Sequence, residues 1–282
     1  MDKRLVFRNQ ELNRSFERNG FVIIDLLNSQ EVSGLCNLPV LATHNNLEEK
    51  FFTTTWLNDA ALRLETNREI CLRLEPKLET ILNGYRFFYG SYFVKKKGEK
   101  SMCDVHQDWS SVDEPNLVSV TVWCALSDMN LSNGCLQILP QSHRLNNYVR
   151  GRHMTDYLGK CKNILKDRFM RPIQLRQGQA IIFNQRMVHG SMQNLSSETR
   201  LACGLVAAPL EAKMKHFVGF GNGSVKIVDA ENNFFSRYDT FDKLNDVMSV
   251  GVTVDSNKQL SPVSLYLFVF SNILRNWGRK LI

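Results

Sequence analysis

The sequence predicts a mainly β fold, a sandwich or jelly-roll barrel with helices packed around it. The chain has 282 residues, of which 43% are hydrophobic, enough for one sizeable core. Apolar residues recur at helical spacing in the first third. After Gly84 the sequence changes to short runs of aromatic and β-branched residues separated by turn signals. Many short strands of this kind are typical of sandwiches and barrels.

Residues 1–84 are predicted to be mainly helical. A short polar segment with apolar residues four apart ends at Gly20, and a buried strand is predicted for residues 21–24, Phe-Val-Ile-Ile. A long helix is predicted for residues 57–82, because apolar residues recur there at helical spacing amid charges. These apolar positions are Leu62, Ile70, Leu74, Leu78 and Ile81.

Residues 85–210 are predicted to form the barrel core. The strand candidates are residues 87–94, 118–126, 135–139, 173–175, 180–183 and 201–207. In the second candidate the valines fall on one face, whereas Ser119, Thr121 and Trp123 fall on the other, because side chains alternate along a strand. One face of this strand is therefore aliphatic, and the other can carry chemistry.

The sequence shows no internal repeat, low-complexity tract or flexible linker, so residues 1–282 are predicted to form a single domain. In the C-terminal region, residues 211–282, the glycine-containing segment 213–241 is either a lid over the substrate or a plain surface loop. The apolar stretch 263–274 is too short to span a bilayer. It is predicted to be a helix docked on the barrel, with a membrane-surface helix as the alternative.

Composition limits the location and the partners. The net charge of +7 and the pI near 9.0 suit an anionic partner. No basic stretch is interleaved with aromatic residues, so nucleic-acid binding is not predicted. The seven cysteines are scattered and never spaced as Cys-x-x-Cys, which predicts neither a disulfide framework nor a zinc cage. The first residues lack the apolar stretch of a secretory signal, so a cytoplasmic protein is expected.

A candidate metal site begins at His106 and Asp108. In an extended segment two residues of this spacing point to the same side and can chelate one ion. His189, shortly after the strand candidate 180–183, supplies a third ligand. Two histidines and one carboxylate form the facial triad that leaves three positions open on iron(II). An isolated His-x-Asp pair is otherwise typical of surface polar residues.

Arg200 strengthens the metal-site interpretation. It begins a strand candidate eleven residues after His189, and a guanidinium can pair with a carboxylate through two hydrogen bonds. The distal carboxylate of 2-oxoglutarate requires such an anchor.

These motifs resemble those of the phytanoyl-CoA dioxygenase family of iron(II)- and 2-oxoglutarate-dependent oxygenases. The resemblance covers about residues 10–210 and keeps both the order and the spacing of the motifs. The matching text comprises residues 16–23 (FERNGFVI), His106-Gln107-Asp108-Trp109, residues 123–126 (WCAL), residues 133–144 (NGCLQILPQSHR), and the stretch from Gly178 through His189-Gly190-Ser191 to Arg200. Beyond about residue 210 we find no shared motif, so the resemblance does not identify the substrate.

The resemblance implies a double-stranded β-helix, that is, a jelly-roll (cupin-like) barrel. It implies that iron(II) is bound by His106, Asp108 and His189. Arg200 would hold 2-oxoglutarate, and O2 would be the second co-substrate. It also places Trp123 and Ser191 in the co-substrate pocket. Without the resemblance, Trp123 would be interpreted as a core aromatic residue and Ser191 as a turn residue.

The implied reaction is hydroxylation of an unactivated C–H bond in a small organic molecule, with release of succinate and CO2. The positive charge favours an anionic substrate. Asp108 argues against halogenation, because the related halogenases lack this carboxylate. Desaturation, cyclisation or oxidative cleavage of a natural-product intermediate stay open. A silent jelly-roll binding protein is the alternative of another class, and a zinc hydrolase would have no use for Arg200.

Three further features lie outside the matching motifs or have a structural interpretation. The run Lys95-Lys96-Lys97 ends a strand candidate and predicts a solvated edge that deters aggregation, with contact to an anionic substrate as the alternative. His143 lies in a turn after a strand and is expected to have a structural role. His216 has no ligand-like neighbours, and no role is predicted for it.

Overall fold

A computed structural model describes residues 4–41, 49–146, 148–220, 222–230, 234–238, 249–255 and 258–278, with side chains up to residue 272. The helices are α1 (Gln10–Asn19), α2 (Ser29–Cys36), α3 (Ala60–Ile81), α4 (Lys162–Ile164), α5 (Phe234–Arg237) and α6 (Pro262–Gly278). The strands are β1 (Phe21–Asp25), β2 (Phe51–Thr53), β3 (Tyr85–Lys95), β4 (Cys103–His106), β5 (Val120–Ala125), β6 (Leu136–Ile138), β7 (Arg171–Ile173), β8 (Gln179–Asn184), β9 (His189–Ser191), β10 (Arg200–Pro209), β11 (Lys215–Gly219), β12 (Ser224–Asp229) and β13 (Ser249–Val254).

Two antiparallel sheets form the jelly roll. The six-stranded sheet has the order β1-β8-β5-β10-β3-β2, and the four-stranded sheet has the order β4-β9-β6-β7. A buried apolar cluster that includes Trp123, Phe183 and Ile138 packs between them. The predicted jelly-roll barrel is confirmed.

The other face of the six-stranded sheet packs against the N-terminal helices. Val120 and Val122 of β5 belong to a core cluster that also contains Ile70, Leu74 and Leu78 of α3, all fully buried. Fully burying one such side chain contributes roughly 1.5–3 kcal/mol. The predicted alternation in β5 is confirmed, because its valines face the helices and Trp123 faces the barrel interior.

The N-terminal region contains the predicted helices, but its strand β1 is less buried than predicted. α1 ends at Gly20, whose φ of 86° is left-handed and whose added Cβ would lie 2.3 Å from the Met187 sulfur. His143 also lies against Gly20, as a structural residue would. The prediction that the strand after Gly20 is buried is wrong in part: β1 is an edge strand, and its Ile23 is 40% exposed.

One barrel strand is displaced from its predicted position. Residues 173–175 were expected to pair, but β7 runs from Arg171 to Ile173 and contains Pro172. Proline is tolerated there because β7 is an edge strand of the four-stranded sheet. Leu175 instead forms an isolated bridge with Met129.

The C-terminal region adds a third sheet and a helix to the jelly roll. β11, β12 and β13 form a three-stranded sheet, so the described part of segment 213–241 is not a plain surface loop; residues 221, 231–233 and 239–241 lie outside the described residues. α6 docks through Leu265, which is fully buried, as predicted. Its other side exposes Leu267 and Phe270. Among the described residues, no helix has the length and apolarity needed to cross a membrane.

Candidate metal centre and co-substrate pocket

The three predicted metal ligands converge at one end of the four-stranded sheet. β4 ends at His106 and β9 begins at His189, and these two residues are direct register partners with ring centroids 4.2 Å apart. Asp108 follows β4, and its Oδ1 lies 4.0 Å from His106 Nε2 and 3.5 Å from His189 Nε2. One ligand atom from each residue falls within 4.8 Å of the others. Such an arrangement can hold a single ion.

Hydrogen bonds orient both imidazole rings for metal binding. The Nδ1 of His106 lies 2.7 Å from the carbonyl oxygen of Asp104, and that of His189 lies 3.0 Å from the carbonyl oxygen of Met187. A backbone carbonyl only accepts, so each Nδ1 carries the proton and donates it. The Nε2 lone pairs are left for the metal, as in most protein metal sites.

A hydrogen bond also orients the Asp108 carboxylate. Thr121 Oγ1 donates to Asp108 Oδ2 at 2.8 Å, which leaves Oδ1 directed to the two histidines. Thr121 lies on β5, on the face opposite the valines, where the sequence predicts functional side chains. This hydrogen bond leaves Oδ1 as the carboxylate oxygen that would be free to bind a metal.

A buried ion pair supports the loop after β4, and sequence reasoning missed it. Arg150 donates through Nε to the Asp108 carbonyl oxygen at 2.8 Å, and its two terminal nitrogens lie 2.9 and 2.6 Å from the Glu114 carboxylate. Both side chains of the pair are at most 8% exposed. The partners are 36 residues apart and carry no local motif, so no signal in the sequence linked them.

The two histidines differ in their protonation. Burial and then the neighbouring His106 lower the pKa of His189 to about 4, so this imidazole is neutral at pH 7. Burial also lowers the pKa of His106, but Cys103 and the Asp108 carboxylate raise it, and the outcome is about 9. A metal bound by His106 would therefore displace a proton, and metal binding is expected to weaken as the pH falls.

Arg200 lies in the barrel interior at the start of β10. It is 2% exposed, its Nη1 donates to the Gly134 carbonyl oxygen, and its Cζ lies 5.2 Å from the centroid of the Trp123 ring. Its Nε is buried without a hydrogen-bond partner, and within the described part of the chain no carboxylate pairs with it. Burying an unpaired cation is unfavourable. The pocket thus fits a ligand that brings its own carboxylate, as 2-oxoglutarate does.

Lys95 lies beside Arg200 and contacts Ser191. Ser191 Oγ accepts a hydrogen bond of 2.6 Å from Lys95 Nζ. Lys95 is fully buried, so the predicted solvated edge is wrong for this residue, although Lys97 is exposed as predicted. The reason is register: Lys95 pairs directly with Arg200 across β3 and β10, which directs its side chain into the barrel.

A cavity of about 380 Å³ opens from the metal ligands. His106, Asp108 and Thr121 form part of its wall. Aromatic residues make up much of the rest, namely Phe51, Trp56, Phe88, Tyr89, Phe93, Trp109 and Phe235. No lysine or arginine occurs among its described lining residues.

His216 supports this aromatic wall, although no role was predicted for it. It is 4% exposed, and its ring centroid lies 5.3 Å from that of Trp109 and 5.7 Å from that of Phe235. Burial lowers its pKa to about 4, so it packs as a neutral ring.

Comparison with solved structures agrees with the fold. The chain is similar to the epimerase SnoN in complex with Fe3+, alpha-ketoglutarate and nogalamycin RO (TM-score 0.52, 20% identity, 73% of this chain and 85% of that chain). It is also similar to HygX from Streptomyces hygroscopicus with nickel and 2-oxoglutarate bound (TM-score 0.53, 18% identity, 72% of this chain and 88% of that chain). At these identities the likeness concerns the jelly-roll fold.

Sequence comparison identifies the family. A curated relative described as phytanoyl-CoA dioxygenase, from Arabidopsis thaliana, is 30% identical over 128 residues, which are 43% of this chain and 45% of the relative. The chain therefore matches somewhat less than half the length of this relative. The family model described as Phytanoyl-CoA dioxygenase (PhyH) matches residues 39–202, more than half of the chain. The chain belongs to the phytanoyl-CoA dioxygenase family.

Proposed function

We propose that this protein is an iron(II)- and 2-oxoglutarate-dependent oxygenase that hydroxylates an unactivated C–H bond of a small organic molecule. The observation that carries this proposal is the pairing of two sites in one barrel. A convergent His-Asp-His triad lies at one end of β9, and a buried arginine without a carboxylate partner among the described residues lies near the other end. A zinc hydrolase would need only the first of these sites.

The spacing along β9 supports a ligand that bridges the two sites. His189 and Ser191 lie two residues apart on the same side of the strand, which corresponds to about 7 Å. Ser191 contacts Lys95, the register partner of Arg200. A five-carbon dicarboxylate can extend from the metal to these side chains.

The residues of the chain then have defined roles. His106, Asp108 and His189 would hold the metal, and Arg200, Ser191 and Trp123 would hold 2-oxoglutarate. When bound, iron(II) with 2-oxoglutarate and O2 couples release of succinate and CO2 to oxidation of a C–H bond.

The retained carboxylate determines which reaction is favoured. Thr121 and Arg150 fix Asp108 in the ligand position, which leaves no place for a halide ligand there. This supports hydroxylation over halogenation.

The cavity next to the metal favours an apolar substrate group. The positive net charge favours an anionic substrate, but the described lining combines aromatic side chains with hydroxyl and amide groups and carries no lysine or arginine. An anionic group would lose its hydration there without gaining a lysine or arginine partner. We therefore infer that the C–H bond to be oxidised belongs to an uncharged, apolar part of the substrate.

A succinate-release screen tests the proposed function. Purified protein would be incubated with iron(II), 2-oxoglutarate, O2 and candidate small molecules offered as matched pairs, a free acid and its neutral methyl ester. We expect substrate-dependent succinate release that is faster with the neutral members. Asp108→Ala, which lacks the proposed metal ligand, serves as the control.

Two results would contradict parts of this proposal. If wild type and Asp108→Ala released succinate at the same rate, the triad assignment would be wrong. If the free acids were consistently preferred, the inference of an apolar target group would have to be withdrawn.

A further inference from the structure

Two buried cations lie side by side in the barrel interior. Lys95 on β3 and Arg200 on β10 are direct register partners in an antiparallel pair, so their side chains leave the sheet on the same face. Lys95 is 0% exposed and Arg200 is 2% exposed. Like charges in this arrangement repel each other unless something of opposite charge lies between them.

Neutral groups alone contact the Lys95 ammonium within the described residues. Its Nζ donates to Ser191 Oγ at 2.6 Å and to the carbonyl oxygen of Met192, and it lies 5.6 Å from the centroid of the Phe51 ring. An ammonium has three N–H donors, and these contacts use two of them. Neither Lys95 nor Arg200 forms a salt bridge with a described carboxylate, whereas the buried Arg150 pairs with Glu114.

We propose that Lys95 is a second cation of the 2-oxoglutarate site, and that the distal carboxylate is held between Lys95 and Arg200. This inference rests on the proposed function. It assigns to Lys95 a positioning role that neither the lysine run nor the triad indicates by itself. Ser191 would hold the ammonium in place through its hydroxyl group.

The environment of Lys95 should make the affinity for 2-oxoglutarate depend on pH. Burial, and then the charge of Arg200, lower the pKa of Lys95 to about 7 in the absence of ligand. The other titratable groups acting on it are Cys103 on β4 and Cys135 before β6, which both raise its pKa. A bound carboxylate favours the charged ammonium, so 2-oxoglutarate binding takes up a proton at a pH above about 7. The affinity should therefore decrease as the pH rises.

The test is a direct measurement of 2-oxoglutarate affinity. Wild-type protein loaded with manganese(II), which prevents turnover, would be titrated with 2-oxoglutarate by calorimetry at several values between about pH 6.5 and pH 8.5. Lys95→Met removes the charge and keeps the volume, Lys95→Gln keeps a hydrogen-bond donor, and Lys97→Met removes an exposed lysine of the same run as a matched control.

We expect both Lys95 variants to raise the Kd for 2-oxoglutarate about ten- to a hundredfold at about pH 6.5, as loss of a charge-assisted hydrogen bond does. The wild-type Kd should rise about tenfold from pH 6.5 to pH 8.5, and the Kd of the variants should change much less. Other titrating groups, including the metal ligands, act equally on both proteins, so the difference between the profiles belongs to Lys95. Lys97→Met should behave like wild type.

Thermal unfolding of the ligand-free proteins separates binding from folding. Removing a buried cation that has no carboxylate partner should leave the melting temperature of Lys95→Met unchanged or raise it, whereas a structural lysine would lower it. The proposal is overturned if Lys95→Met and Lys95→Gln bind 2-oxoglutarate as tightly as wild type, or if they keep its pH profile. Failure of the wild-type protein to bind 2-oxoglutarate at all would instead contradict the proposed function.

Discussion

The two faces of the six-stranded sheet differ in chemistry although the same strands form both. On the outer face, Val120 and Val122 pack against the apolar side of α3. On the inner face, the intervening residues Thr121 and Trp123 contact Asp108 and Arg200. Because side chains alternate, one strand contributes to stability through every second residue and to the site through the others.

The two faces also contribute differently to the free energy of folding. The outer face gains free energy by burying apolar surface. The inner face carries buried cations whose described partners include no carboxylate, which opposes folding until a ligand binds. Substitutions on the outer face should therefore change stability, and those on the inner face should change ligand binding.

The largest effect is expected at the metal ligands. His106→Ala removes one of three ligand atoms and should lower iron(II) affinity by more than about a hundredfold, because even the loss of an outer hydrogen-bond partner lowers it ten- to a hundredfold. Equilibrium dialysis with iron(II) under anaerobic conditions measures this. His153→Ala, at an exposed histidine, is the control. Iron retention by His106→Ala at the wild-type level would show that the site lies elsewhere.

Substitutions on the outer face should change the stability of the protein and leave ligand binding unchanged. Leu74 is fully buried in α3, and Leu74→Ala is expected to lower the free energy of unfolding by about 2–5 kcal/mol through loss of burial and creation of a cavity. Leu72, two residues away in the same helix, is 60% exposed, and Leu72→Ala should change stability by less than about 0.5 kcal/mol. Urea unfolding gives both values. If Leu74→Ala changed 2-oxoglutarate affinity while the protein stayed folded, the separation of the two faces would not hold.

Arg200→Met, on the inner face, should change ligand binding rather than stability. The loss of a charge-assisted bidentate pair is expected to weaken 2-oxoglutarate binding by about 1.5–3 kcal/mol, or ten- to a hundredfold, with little change in iron affinity. Arg176→Met replaces an arginine whose side chain is 77% exposed and serves as the control. Calorimetric titrations with manganese(II) and then 2-oxoglutarate separate the two affinities. Equal losses of both would indicate a folding defect.

The smallest effect is expected where the C-terminal region reaches the pocket. Phe235 of α5 lines the cavity beside the metal, so Phe235→Leu should change the relative rates on different substrates several-fold. Uncoupled 2-oxoglutarate turnover without substrate should stay close to wild type. Tyr238→Leu, at a residue outside the described pocket lining, is the control. A parallel loss of both activities in Phe235→Leu would mean that segment 213–241 supports the barrel and is not a lid.

Sequence reasoning predicted best what is local or carried by a motif. The helix α3, the alternation in β5 and the metal-ligand spacing around His106 follow from periodicity and from the family resemblance. Lys95 was assigned to a solvated edge because a lysine run is normally exposed; only its pairing with Arg200 reveals its burial. The partnership of Arg150 with Glu114 also depends on tertiary contacts that no local pattern encodes.

We propose that the triad and the buried cations form one site that binds iron(II) and 2-oxoglutarate together. Anaerobic titration of the wild-type protein with iron(II) and 2-oxoglutarate, followed by visible absorption, tests it most directly. A chelate between the keto acid and protein-bound iron(II) gives a weak charge-transfer band. We predict that this band appears only when both ligands are present and saturates at one equivalent of iron(II). Absence of the band, or an unchanged band in His106→Ala, would show that the triad and the buried cations do not form such a site.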